Sequence, residues 1–167
     1  MAVDFAAKRR ERQGEGWLIR NFKLRLSRKL IFAAGLSAAL SCALRPPPAL
    51  GREESEKDED YAAIVAEHLL SFANRTPLET VAWLVSEFGA TTETIRDIFD
   101  SYDAFLGILG DDGKRRRLER LTPETMREDA LFDESREISD RFQEGLSKLF
   151  FQTDTQLTIA AQRDGVF

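Results

Sequence analysis

Cysteine and histidine each occur once in this chain, and those two absences set the first limits. A lone Cys42 excludes an internal disulfide framework and a cysteine-rich zinc site. A lone His68 leaves no histidine pair to ligate a metal, and no nucleophile-elbow pattern accompanies it for Ser-His-Asp chemistry. No glycine-rich phosphate loop is present either. Glycine and proline together make 15 of 167 residues, too few for wholesale disorder. The expectation is therefore a non-enzymatic protein with no catalytic, metal or cofactor-binding residues. What is plentiful is apolar mass: twelve Phe and two Trp within a 43% hydrophobic chain. A domain of ~150 residues can bury roughly 70% of its unfolded surface.

The formal charge of −5 conceals a polarised chain. Residues 1–52 carry 11 Lys and Arg against 3 Asp and Glu, a net of +8; residues 53–167 carry 13 against 26, a net of −13. Such sorting points to an arm for an anionic partner, or to an arm lying on the chain's own acidic body.

Hydrophobic spacing predicts an all-α multi-helix bundle of about six or seven helices. Residues 1–16 are charged and Gly-interrupted, which predicts a disordered arm. Residues 17–45 form a basic, partly apolar helix: Leu18, Phe22, Leu26 and Leu30 recur every four residues, and Arg20, Lys23, Arg25, Arg28 and Lys29 supply the charge. These five are the candidate contacts for an anionic partner. The uncharged run 30–44 spans only ~22 Å as a helix against a hydrocarbon core of ~30 Å, which favours burial over a membrane span. Its small residues fall four apart, as Ala34, Ala38, Cys42 and Gly35, Ala39, Ala43, a packing seam in water or in lipid. Arg28-Lys29 before that run also permits a processed secretory, lipoprotein-type or transit segment. Residues 46–60, three prolines followed by an acidic tract, read as a linker, and 61–163 as a helical bundle domain.

The most legible stretch is residues 76–109. Thr76-Pro77-Leu78-Glu79 is a helix start with a capping box, and Gly89 is the expected stop in a left-handed conformation. Thr91 or Thr92 then caps a second helix bearing Ile95, Ile98, Phe99, Tyr102, Phe105, Leu106 and Leu109. Further on, Asp111-Asp112-Gly113 predicts a turn before a short basic helix, and Thr122-Pro123-Glu124 opens a helical stretch to about Phe151 that breaks near Asp133. Ile138, Phe142, Leu146 and Leu149 form its buried stripe, and Asp154 caps a last helix.

Within residues 81–99, Phe88-Gly89-Ala90-Thr91 and Thr94-Ile95-Arg96 resemble the helix-turn-helix of bacterial regulators of the deoxyribonucleoside-operon-repressor class. The resemblance implies that the second helix enters the major groove, with Thr91, Thr92, Glu93 and Arg96 facing DNA. The same pattern also builds an ordinary capped helical hairpin. Asp97, Asp100 and Asp103, near one helix face, read as a solvated surface or a dock for the basic arm, with divalent-cation binding as the sharper alternative. His68 lies at the edge of an apolar stripe with Tyr61, Val65 and Phe72; residues 114–117 (Lys-Arg-Arg-Arg) are a phosphate site or a surface satisfied by neighbouring acids. Three functions follow as expectations: a cytoplasmic module acting through a protein partner, a DNA-binding regulator, or a membrane-associated protein held on an anionic surface by residues 17–44.

Overall fold

The structure, a computed structural model, describes residues 16–45 and 58–164. The expected arm over 1–16 and linker over 46–60 therefore lie almost wholly outside the described residues. Among those described there are seven α-helices and no strand: α1 Trp17–Leu44, α2 Asp58–Ala73, α3 Pro77–Phe88, α4 Thr92–Gly110, α5 Asp112–Arg120, α6 Ala130–Gln152 and α7 Thr155–Asp164, with a 3₁₀ turn at Met126–Glu128. The fold is all-α, as the spacing predicts.

Most helix ends are set by one side chain taking an orphan backbone N–H. Thr76 forms the full capping box: Glu79 N–H donates to Thr76 Oγ1 at 3.2 Å, and Thr76 N–H donates back to Glu79 Oε2 at 2.6 Å. That backbone bond, with the Thr76 hydroxyl behind it, holds the Glu79 carboxyl below its ordinary range. Gly89 ends α3 with φ 75° and ψ 173°, so its φ is positive but it is extended and not in the expected left-handed helical region. Thr91, not Thr92, caps α4, accepting from Thr94 N–H at 3.1 Å. Asp111 accepts from Lys114 N–H at 2.9 Å, so α5 begins at Asp112, inside the segment expected to be a turn.

The stretch after Pro123 departs furthest from expectation. Thr122 N–H donates to Thr125 Oγ1 at 3.1 Å, and Thr125 N–H to the Thr122 carbonyl at 3.2 Å, which closes a turn where an α-helix was expected to start. The break falls at Asp129, four residues before Asp133. Asp129 Oδ1 accepts from Leu131 N–H at 2.9 Å and Phe132 N–H at 3.3 Å, and α6 starts there.

The chain divides into two compact units. Of the described residues, the first comprises 16–28 and Arg96–Glu144. Its buried residues include Leu18, Ile19, Phe22 and Leu26 of α1, Ile98, Phe105 and Ile108 of α4, Leu118 of α5, and Leu131, Ile138 and Phe142 of α6. Phe22 and Phe105 meet edge to face with centroids 5.0 Å apart, and Tyr102 lies 6.0 Å from Phe142. Arg141 reaches Asp97 at 3.5 Å. Of the described residues, the second unit comprises 29–45, 58–95 and 145–164. Leu30, Ala33, Leu40, Phe72, Val81, Leu84, Leu149 and Leu157 are buried there, Phe72 stands edge to face with Trp83 at 5.0 Å, and Lys148 pairs with Glu93 at 3.0 Å.

The periodic stripes vary in accuracy. Leu18, Phe22, Leu26, Leu30 and Ile138, Phe142, Leu146, Leu149 are all buried, as expected. On α4 the buried line runs Thr94, Ile98, Ser101, Phe105, Ile108, leaving Leu106 48% exposed. α2 buries only Phe72 of its apolar residues, while Tyr61, Leu69 and Leu70 are exposed.

Candidate functional site

Residues 17–45 contain no Asp or Glu, so the outer side of α1 is cationic wherever it is charged. Helical geometry does the sorting. Burial of Leu18, Ile19, Phe22 and Leu26 leaves Arg20, Lys23, Arg25 and Arg28 exposed along about two turns. None of these four forms an ion pair among the described residues. Lys29, the fifth candidate, is half-buried and is not free. The start of α1 is fixed by backbone: Gly16 N–H donates to the Glu119 carbonyl of α5 at 2.6 Å, and Arg20 N–H to the Gly16 carbonyl at 3.1 Å.

Recesses flank this cationic half. A cavity of about 320 Å³ lies between α1 and α6, bounded by Trp17, Leu18, Asn21, Phe22 and Arg25 on one side. Phe132, Ser135, Arg136, Ser139 and Asp140 bound it on the other. The two serine hydroxyls are turned onto their own helix, donating to the Phe132 carbonyl at 2.8 Å and the Ser135 carbonyl at 2.9 Å. The Arg136 guanidinium lies 5.9 Å from the Phe132 ring centroid and forms no ion pair among the described residues. Unspent hydrogen-bonding capacity is therefore mostly donors, from Arg25, Arg136 and Asn21, with one acid, Asp140, on the rim. Two more open recesses, of about 480 and 430 Å³, adjoin Arg20 with Lys23 and Arg20 with Arg28.

The residues expected to read DNA are exposed: Thr91, Thr92, Glu93 and Arg96 all face solvent. Two of them already have work within the fold. Thr91 caps α4 and shares a 3.0 Å hydroxyl bond with Thr94; Glu93 is paired with Lys148. Asp97 is held by Arg141, while Asp100 and Asp103 are exposed. No group of three or more metal-ligating side chains occurs among the described residues.

His68 has a definite partner. Ser41 Oγ donates to the Ala38 carbonyl at 2.6 Å, which leaves it to accept from His68 Nε2–H at 2.8 Å. Ser41 is fully buried and its proton is committed, so the pair joins α1 to α2 and offers no nucleophile. The His68 ring also meets Phe72 edge to face at 5.6 Å. In the basic cluster of α5, Lys114 pairs with Glu134 at 3.1 Å, Arg115 with Asp112 at 2.7 Å and Arg117 with Asp129 at 2.8 Å. Three of the four cations are thus paired with acids, while Arg116 is exposed and forms no ion pair among the described residues.

Sequence reasoning found the cations of α1 but missed Trp17, Phe132 and Arg136 as neighbours of a shared recess. Arg136 had a local signal, one turn beyond Phe132 on α6; nothing local connects it to Trp17. Comparison with known protein families, curated proteins and solved structures returned no match.

Proposed function

We propose that this chain is a non-enzymatic helical interaction module, and that the N-terminal half of α1 receives an acidic segment of a protein partner. The carrying observation is the set of four exposed cations, Arg20, Lys23, Arg25 and Arg28, on a helix without a single acid.

Size and shape favour a protein segment over the other polyanions. From position 20 to 28 the helix rises only ~12 Å. A DNA duplex carries one charge per ~1.7 Å and extends far beyond such a patch, where it meets a chain of net −5 and a 53–167 segment of net −13. Repulsion there works against it. A short acidic segment is matched to the patch, and its attraction falls off within a Debye length of ~8 Å at physiological salt. A bilayer needs apolar groups that project; within residues 17–28 only Leu24 does so, at 38% exposed, whereas Phe22 is buried and Trp17 is half-buried.

A random peptide library selected on the full-length chain tests this. Selected peptides should be acidic and should lose affinity when Arg20→Glu and Arg25→Glu are combined. Selection without acidic enrichment, or indifference to the reversal, contradicts the proposal.

A second reading, attachment to an anionic membrane surface through α1, is favoured by Ile31 and Phe32, which are 62% and 50% exposed. α1 is also long and apolar enough by length and composition to cross a bilayer. Co-sedimentation with anionic vesicles, lost on Ile31→Asp with Phe32→Asp, supports that reading; its absence removes it.

A further inference from the structure

We infer that the recess between α1 and α6 is the partner's specificity pocket: it takes one aromatic or large aliphatic side chain whose flanking carboxylates are held by Arg25 and Arg136. This rests on the acidic-partner reading above and goes further, because it names what the partner must present. A uniform cationic strip would select charge alone. The recess adds an apolar requirement, since buried Phe22 and half-buried Trp17 and Phe132 all line it. At about 320 Å³ it stands at the small end of ligand-sized sites, suited to one side chain and not to a whole helix.

The two guanidiniums come from opposite walls, one on α1 and one on α6, and both are exposed without an ion-pair partner among the described residues. Carboxylates on either side of an inserted side chain would meet one each, in the charge-assisted geometry that arginine favours. Asp140 is the acid on the same rim and opposes an incoming carboxylate. It therefore works against affinity, and removing its charge should tighten binding.

The test measures a labelled peptide with one Phe between Glu pairs against the full-length chain by fluorescence anisotropy at physiological salt. Arg25→Ala and Arg136→Ala should each weaken binding about tenfold, as expected for loss of one charge-assisted bond. Replacing the peptide Phe by Ala should do the same, and Asp140→Asn should strengthen binding severalfold. Arg28→Ala, a change of equal charge outside the recess, should cost only a few-fold. If acidic peptides bind but the Phe and Arg136 make no difference, the pocket inference is overturned and the acidic-partner reading stands. If no acidic peptide binds at all, both fall. All these substitutions are on exposed side chains, so circular dichroism should show unchanged helicity.

Discussion

Asp129 joins two functions in one carboxylate, and separating them gives the sharpest stability prediction. Oδ1 accepts the first free N–H groups of α6, from Leu131 and Phe132, while Oδ2 accepts from Arg117 Nε at 2.8 Å. Loss of a good N-cap costs ~1 kcal/mol, within a range of ~0.5–2. The ion pair adds less, ~0.2–1 kcal/mol, because the Arg117 side chain is 58% exposed and water screens it. Asp129→Ala should therefore cost about 1–3 kcal/mol, and Asp129→Asn, which keeps a capping oxygen, under about 1 kcal/mol. For a chain of this size that corresponds to a loss of ~2–12 °C in Tm for the alanine variant. Acid behaviour supplies a second readout. Burial pushes the carboxyl up, but the Arg117 guanidinium and the two backbone N–H groups push harder, holding it below its ordinary range. A group with a lowered folded-state pKa contributes its full stabilisation above the unfolded value of ~3.9 and loses it as pH falls through the folded value. Urea unfolding followed by circular dichroism should thus show a constant gap between wild type and Asp129→Asn from pH 7 to about 5, shrinking as pH drops below about 4. Equal stability of the Ala and Asn variants, or a gap that ignores pH, would refute this account of Asp129.

Three further substitutions test the packing by the same unfolding measurement. Gly89→Ala should cost ~1–3 kcal/mol from backbone strain alone, since a Cβ there meets nothing within 4 Å but φ 75° with ψ 173° is nearly reserved for glycine. Phe142→Ala should cost ~3–5 kcal/mol because the ring is fully buried, whereas Leu106→Ala, at a position the sequence pattern ranks as core, should change stability by less than ~0.5 kcal/mol. Ser41→Ala should cost ~1 kcal/mol by removing the acceptor of His68 Nε2–H; Ser37→Ala, whose hydroxyl bonds only to its own helix at Ala33, should be near neutral.

Local chemistry was legible wherever one side chain decides a helix end. Thr76, Thr91 and Asp154 each cap the helix that follows them, and their signals lie within four residues. The stretch 122–129 was illegible for the converse reason: Thr-Pro-Glu is a start signal only if the Thr122 side chain caps, and here the Thr125 hydroxyl takes the Thr122 N–H instead. Periodicity identified the cores of α1 and α6 and, on α4, Ile98 and Phe105; it did not find Thr94, Ser101 or Ile108 there, and a buried Ser101 is indistinguishable by type from a surface serine. It also over-assigned α2, whose apolar residues exceed what its neighbours cover. The cationic face of α1 was readable from composition. Its adjoining recess was not, because Trp17 and Phe132 are 115 positions apart and only tertiary structure brings them together.

Whether α1 offers its cations to an acidic partner is decided by two charge-matched variants of the full-length chain. One carries Arg20→Glu, Arg25→Glu and Arg28→Glu; the other carries Arg116→Glu, Arg120→Glu and Arg127→Glu, all exposed positions outside α1. Affinity for the acidic Phe-containing peptide should collapse in the first and stay within a few-fold of wild type in the second. Equal losses in both would mean that only net charge is being sensed, and the account would be wrong.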